Sequence, residues 1–417
     1  MSAASVPLSA HTGVAALAWD AVSRVAATAT ALWGVPAAPI DPVRVGVAYT
    51  SERWLRVGGS RPSAFAPLSG FFATADGWVR THGNYPHHAL ALTTALELPP
   101  TSGTEEVARA FRSHRAAEVS SSVRRLGGLC IPVRGEDAVA DANLRATPLV
   151  SIIRLGRAPR TRRPEAPLDN PLRGVRVLDL TRVIAGPVAT RTLALFGADV
   201  LRIDPPRPPE LPWQHLDTGH GKRTALLDLT TPGGQREWTA LLSSADIVVL
   251  GYRAAGLDRL GLTPAGLAAQ RPGLIVLQLT AWGDRHHRGF DSLVQAASGI
   301  AWLESRDETT PGALPAQALD HTAGYALADA ALMLLARRAE EGGSWLAETS
   351  LRRVAAELLG LPRRSTPSMG PQPDPAGHVQ EFDVDGVAVS TAAPAFTTPA
   401  RFSPPRPWGR DPAAWPQ

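Results

Sequence analysis

The sequence predicts an α/β protein: a large domain built on a doubly wound parallel sheet, with a smaller α+β domain beside it. Three observations predict this. Between Leu172 and about Gly360, strand-like and helix-like stretches alternate. The strand-like stretches are nearly continuous apolar runs, as a parallel sheet covered on both faces requires. Residues 1–160 have a different texture, with alanine-rich helical stretches among short strands and loops.

The elements of the large region follow in order. "VRVLDL" (Val175 to Leu180) reads as a buried strand. "TRVIAGP" reads as a loop ending in Pro187, a suitable first helical residue. "VATRTLALFG" is a helix stopped by Gly197, and "ADVLRID" is the next strand, which completes a strand–helix–strand unit. "TALLDL" is a strand. The helix in "TPGGQREWTALLSSA" starts with Thr231 and Pro232, a cap followed by proline. "DIVVL" is a strand, "TPAGLAAQ" a short helix with the same start, and "GLIVLQLTAW" a strand. Such a Rossmann-like sheet receives ligands beyond the carboxyl ends of its strands.

The regions divide as a small-domain-like segment 1–160, a linker 161–171, the large domain 172–360, and a Pro-rich loop and tail 361–417. The linker "RAPRTRRPEAPLDNP" is rich in Pro and Arg. No repeat of fixed period is visible.

Composition bounds the function. The 417-residue chain is 44% hydrophobic and 19% charged, the balance of a packed globular protein. Its formal net charge is only +4, with no basic run interleaved with aromatics, so nucleic acid is not an expected partner. A modest positive balance suits small anionic ligands. Cys130 is the single cysteine, which excludes a disulfide framework and a cysteine-rich metal site; "GGLCIPV" reads as a buried strand holding an inert thiol. The apolar N-terminal stretch is broken by Asp20 and Arg24 and no basic leader precedes it, so no membrane span or secretory signal is read and a cytoplasmic protein is expected.

Several motifs are missing. No G-x-G-x-x-G follows the first strand, which disfavours a dinucleotide-binding dehydrogenase. "GHGKRT" holds Gly219, Gly221 and Lys222 but precedes a strand, so it cannot aim helix N–H groups at a phosphate. Adjacent His286 and His287 diverge and read as exposed loop residues, and no metal site is expected. No G-x-S-x-G elbow appears. Lys222 is the only lysine of the chain, all other basic residues being arginine. By position it is either a solvated surface charge or, with Arg223, a grip for phosphate that combines a point charge and a planar fork. Asp320 precedes the helical pattern "AGYALADAALMLLARRAEE" and by position alone is a helix cap.

Five ordered stretches carry a family likeness: "PLRGVRVLDLTRVIAGPVATRTLALFGADVLRID", "GKRTALLDLTTPGG", "AGLDRLGL", "FDSLVQAASG" and "LDHTAGYALADAALMLLARRAEEGG". From about Pro171 to Ser350 the chain resembles the class III coenzyme A transferases, the CaiB/BaiF family, which includes formyl-CoA transferase, carnitine CoA-transferase and α-methylacyl-CoA racemases. "GFFATADGWVRTHGNYPHHALALTTALEL" and "LGGLCIPVRG" look like that family's small domain, here placed first in the chain. "PARFSPPRPWGRDPAAW" resembles its C-terminal end.

The resemblance implies a set of roles. Asp320 falls on the family's nucleophile. The CoA-contacting positions fall on Ala185, Gly186, Pro187, Lys222, Arg223, Tyr252 and Arg259. Acyl-CoA and a carboxylic acid acceptor are the implied small-molecule partners, coenzyme A enters as substrate with no further cofactor, and a homodimer is implied. The chemistry fits these residue types. A carboxylate attacks a thioester carbonyl to give a mixed anhydride and CoA thiolate, and the thiolate then forms an enzyme thioester. A helix start favours an ionised Asp320. Backbone N–H groups there, with Gly324 permitting close approach, provide for a developing oxyanion.

Two alternatives stay open. The family's racemases place a histidine before the aspartate of the D-x-x-x-Q segment; here Phe290 stands there and cannot exchange a proton. The loop "AWGDRHHRGFD" lacks the usual Gly-Pro pair, and no clear glycine-rich loop is found, which keeps a catalytically idle CoA- or partner-binding relative in view.

Overall fold

The structure is a computed structural model that describes residues 6–161, 166–252, 254–284, 286–366, 374–396 and 402–416. Part of the expected linker (162–165) and parts of the Pro-rich loop and tail (367–373, 397–401, 417) lie outside the described residues.

The described strands are β1 (Arg56–Val57), β2 (Phe71–Thr74), β3 (Gly77–Thr81), β4 (Cys130–Pro132), β5 (Ser151–Gly156), β6 (Arg176–Leu180), β7 (Asp199–Asp204), β8 (Lys222–Leu226), β9 (Ile247–Leu250), β10 (Ile275–Thr280), β11 (Ser344–Ser350), β12 (Val379–Val384) and β13 (Val387–Ala392). A seven-stranded sheet has the order β5-β11-β10-β9-β6-β7-β8. All its pairings are parallel except that of β5 with β11. The expected doubly wound sheet is therefore present. Its order reverses between β6 and β9, and a crevice opens beyond the carboxyl ends of the strands at such a point.

Side chains alternate across this sheet as strand pleat demands. Val177, Val200, Ile247, Val249 and Ile275 face one core, with helices Val14–Trp33, Ala185–Leu195 and Ala318–Glu341. Leu178, Leu201, Val248 and Val276 face the other, with helices Pro232–Leu242 and Pro264–Gln270. Each fully buried aliphatic side chain of this kind contributes roughly 1.5–3 kcal/mol. Thr231 and Thr263 accept the amides of Gly234 and Gly266, the caps read from the two Thr-Pro pairs.

Helix Ala318–Glu341 runs through the middle of the molecule and packs on both Val14–Trp33 and Ala185–Leu195. Gly324 makes the second contact possible. A Cβ there would sit 2.5 Å from the carbonyl oxygen of Ala185 and 2.8 Å from Val188 Cβ.

The segment 1–160 is not a self-contained domain. Its residues β2, β3 and β4 form a small sheet with their own core around Phe72 and Phe111. But helix Val14–Trp33 belongs to the main core, β5 is an edge of the large sheet, and β1 pairs with β13 from beyond residue 360. Another difference lies at Pro187. The helix starts at Ala185, so Ala185–Gly186–Pro187 is a first turn and not a loop. Gly186 allows this turn to lie against Thr181, whose side chain would be 2.4 Å from an added Cβ.

The tail covers the open edge of β8. Asp411 donates its amide to the Thr224 carbonyl, and its side chain accepts the Thr224 amide at 2.9 Å. An uncovered edge strand is a pairing hazard, and this removes it.

Candidate active site

A cavity of about 410 Å³ lies beyond the carboxyl ends of the strands. Its walls come from residues that follow β6 (Arg182, Val183, Ala185), β9 (Gly251, Tyr252), β10 (Ala281) and β11 (Leu351), and from Asp320. The N-terminal segment closes it with Tyr85, His87 and His88. Val183 is a β-branched residue at φ 72°, a conformation held only where surroundings enforce it.

Asp320 is buried at 6% exposure, in the first turn of its helix. Among the described residues no hydrogen bond reaches its carboxyl group. The helix-start amides serve another carboxylate instead: Asp291 Oδ2 accepts the amide of Asp320 at 2.9 Å, with the Leu319 amide also directed at Asp291. Gln295 donates to Asp291 Oδ1 at 2.5 Å and accepts the Leu314 amide at 2.9 Å. Burial raises both carboxyl groups. Asp291 stands at about 6, while Asp320 is pushed well above the usual carboxylate range by burial and by the neighbouring Asp291. The expectation that the helix start keeps Asp320 ionised is thus corrected: Asp291 takes that stabilisation.

The other expected site residues separate into two sets. Ala185 and Tyr252 line the cavity with Asp320. Tyr252 donates its hydroxyl to Asp204 Oδ1 at 2.6 Å, so its ring rather than its hydroxyl is offered to a ligand. Gly186 and Pro187 lie behind Ala185 in the same turn.

Lys222 is not among the residues that line the cavity. It is 3% exposed, and its ammonium donates to Asp179 Oδ2 at 3.1 Å and to the Pro187 carbonyl at 2.9 Å. Asp179 also accepts the hydroxyls of Thr181 and Thr190, and Lys222 and these groups hold it below the usual carboxylate range against burial. The lysine fastens the Ala185 turn from behind. Arg223 faces the opposite way, pairing with Asp199 at 2.9 Å and donating to the Ala414 carbonyl at 2.5 Å. It pins the tail. Arg259 is exposed at the end of a helix and does not line the cavity. Gly324 serves helix packing and is not among the residues that line the cavity.

His287, read as an exposed loop residue, is exposed and pairs with Asp284 at 2.8 Å, yet it reaches the cavity rim. Phe290 stacks on His82 with ring centroids 3.8 Å apart. Cys130 is buried and its thiol is pushed up to about 12, which makes it inert. No group of three or more His, Cys, Asp or Glu that could hold a metal occurs among the described residues, and no described helix is long and apolar enough to cross a membrane.

Sequence reasoning missed Tyr85, His87, His88, Arg182 and the capping role of Asp291. "NYPHHAL" carried a signal, a proline-started helix with two histidines in its first turn, but nothing in the linear order brings it to Asp320. A buried ion cluster fixes its place. Arg202 pairs with Asp204 and Glu210 at 2.8 Å each, Arg182 pairs with Glu210 at 3.2 Å, and Tyr85 donates to Glu210 at 3.0 Å.

The model of CoA-transferase family III matches residues 172–389. The chain is 32% identical over 238 residues to a probable fatty acyl-CoA transferase of Mycobacterium tuberculosis, covering 52% of this chain and 59% of that protein. It is 30% identical over 252 residues to the succinyl-CoA–L-malate CoA-transferase beta subunit of Chloroflexus aurantiacus, covering 53% and 62% respectively. The chain thus spans less than two thirds of the length of these relatives. Among solved structures, a CaiB/BaiF family protein from Brucella suis matches at 25% identity and TM-score 0.43, over 52% of this chain and 65% of that one.

Proposed function

Because the chain belongs to CoA-transferase family III, we propose that it moves CoA from an acyl-CoA thioester to a carboxylic acid, with Asp320 as the nucleophile. The observation that carries this reading is Asp320 itself: a buried carboxyl group, without a hydrogen bond from the described residues, in the wall of a cavity at the switch point of the sheet.

The steps balance without an added reagent. Asp320 loses its proton to solvent, and its carboxylate oxygen attacks the thioester carbonyl carbon. The C–S bond breaks, leaving an aspartyl–acyl anhydride and CoA thiolate. The thiolate attacks the aspartyl carbonyl, which releases the donor acid as a carboxylate and leaves aspartyl-CoA thioester. The acceptor carboxylate then attacks that thioester, and the thiolate closes the cycle on the acceptor carbonyl. Both intermediates hydrolyse, so the site must exclude water. The cover of Tyr85, His87 and His88 from the N-terminal segment supports that requirement. Tyr252 and the Ala185 turn remain proposed CoA contacts, and the cavity wall carries Arg288 and the Glu210-paired Arg182 as cations near its anionic groups. A homodimer in the cytoplasm belongs to the same reading.

The test is mass spectrometry of protein incubated with acyl-CoA, with hydroxylamine or borohydride trapping, beside Asp320→Asn. A trapped modification at Asp320 that the variant lacks supports transfer. Exchange of the substrate α-proton without modification supports a racemase, and CoA binding with neither supports an idle binder.

A further inference from the structure

Helix Pro86–Ala95 begins at the cavity: Tyr85, His87 and His88 all line it. His88 is 3% exposed, and neither of its ring nitrogens has a hydrogen-bond partner among the described residues. Buried polar atoms rarely stay unpaired without a reason. Its ring is held by aromatic neighbours, edge-on to Tyr85 at 5.5 Å, to His82 at 5.7 Å and to Phe290 at 6.3 Å. Tyr85, Arg182 and Tyr252 in the wall already donate to Glu210 and Asp204. The amides at the start of the Asp320 helix are held by Asp291.

We propose that the first turn of helix Pro86–Ala95, with the imidazoles of His87 and His88, is the subsite that holds the carboxylate of the acceptor acid in the cavity lined by Asp320. This rests on the reading of Asp320 as the nucleophile. A helix start favours an anion through its dipole; Pro86 has no N–H and the His88 and Ala89 amides donate to the Tyr85 carbonyl, so the side chains rather than the amides of this turn are the donors. The imidazoles add N–H donors, and burial first, with the His87 ring beside His88 and the nearby Arg288, lowers both below the usual histidine range, His88 to about 3. Arg288 lines the same cavity and adds positive charge felt by both histidines. The donor acid leaves from the place where the acceptor enters, so one subsite serves both.

The experiment uses the full chain with two probe pairs, acetyl-CoA with labelled acetate and succinyl-CoA with labelled succinate. Each measures exchange of an acyl-CoA with its own acid, which reversibility guarantees for any accepted donor. Wild type, His88→Phe and His87→Ala/His88→Gln are compared. The expected result is an acid KM raised about tenfold or more in the variants and product inhibition by the acid weakened by the same factor. An unchanged acid KM overturns the subsite and leaves transfer intact. Loss of adduct formation in both folded variants, with unchanged acid KM, assigns His88 to the attack step and also overturns it. If wild type forms no adduct with either acyl-CoA, the reading of Asp320 fails, and the subsite with it.

Discussion

Asp291 accepts the backbone N–H of Asp320 at 2.9 Å, so the carboxylate that caps the long helix is not the one expected to react. Asp291 receives the helix-start amides and Gln295. Asp320, beside it, receives the repulsion. Like charges brought together in a buried site push one proton onto the pair.

The pH dependence of transfer follows from this. Asp320 is raised, so at low pH it holds its proton and cannot attack. The rate, measured as kcat/KM, is expected to rise with pH as the carboxyl ionises. In Asp291→Asn the neighbouring charge is gone, Asp320 ionises more readily, and the acid limb moves to lower pH. A limb that stays in place, in a variant shown to be folded by circular dichroism, counts against the coupling.

Asp320 should also cost stability. An acid raised in the folded state binds its proton more tightly there than in the unfolded chain. Stability is therefore highest below the ordinary carboxylate range and falls as pH rises toward the folded value. Asp320→Asn removes this penalty. It is expected to unfold about 0.5–2 kcal/mol later than wild type at pH 8 in urea titration, and to match it near pH 4.

Lys222 is a test of the corrected assignment. Breaking a buried ion pair from one side leaves an uncompensated charge, at a cost of about 3–5 kcal/mol. Lys222→Met is expected to lose that much by denaturant unfolding, and Lys222→Met with Asp179→Asn to recover part of it. If Lys222→Met instead keeps its stability and loses salt-sensitive CoA affinity, the lysine is a phosphate ligand after all.

Gly324→Ala places a methyl group against the Ala185 carbonyl. Overpacking of this kind costs about 1–3 kcal/mol. Because the two helices carry Asp320 and Ala185, kcat is expected to fall together with the melting temperature.

Arg223 and Asp199 are 17% and 28% exposed, so solvent screens their pair and it is worth about 1 kcal/mol or less. Its larger effect is local. Arg223→Ala is expected to speed amide hydrogen exchange in residues 402–416 while leaving CoA binding unchanged.

What the sequence determined by itself is local or periodic. Apolar runs between Val175 and Thr280 required strands buried on both faces, and the Thr-Pro pairs at 231 and 263 fixed two helix starts. The ordered motifs placed Asp320 at a helix start, because pattern and spacing survive in one dimension. Only tertiary structure decided what each charge meets. Nothing in the order of residues says that Lys222 would find Asp179 across the intervening strand β7, that Asp291 would take the amides beside Asp320, or that Tyr85–His88 would be carried over the cavity by Glu210 and Arg202. A charge is defined energetically by its neighbours and its access to water, and both are properties of packing rather than of sequence.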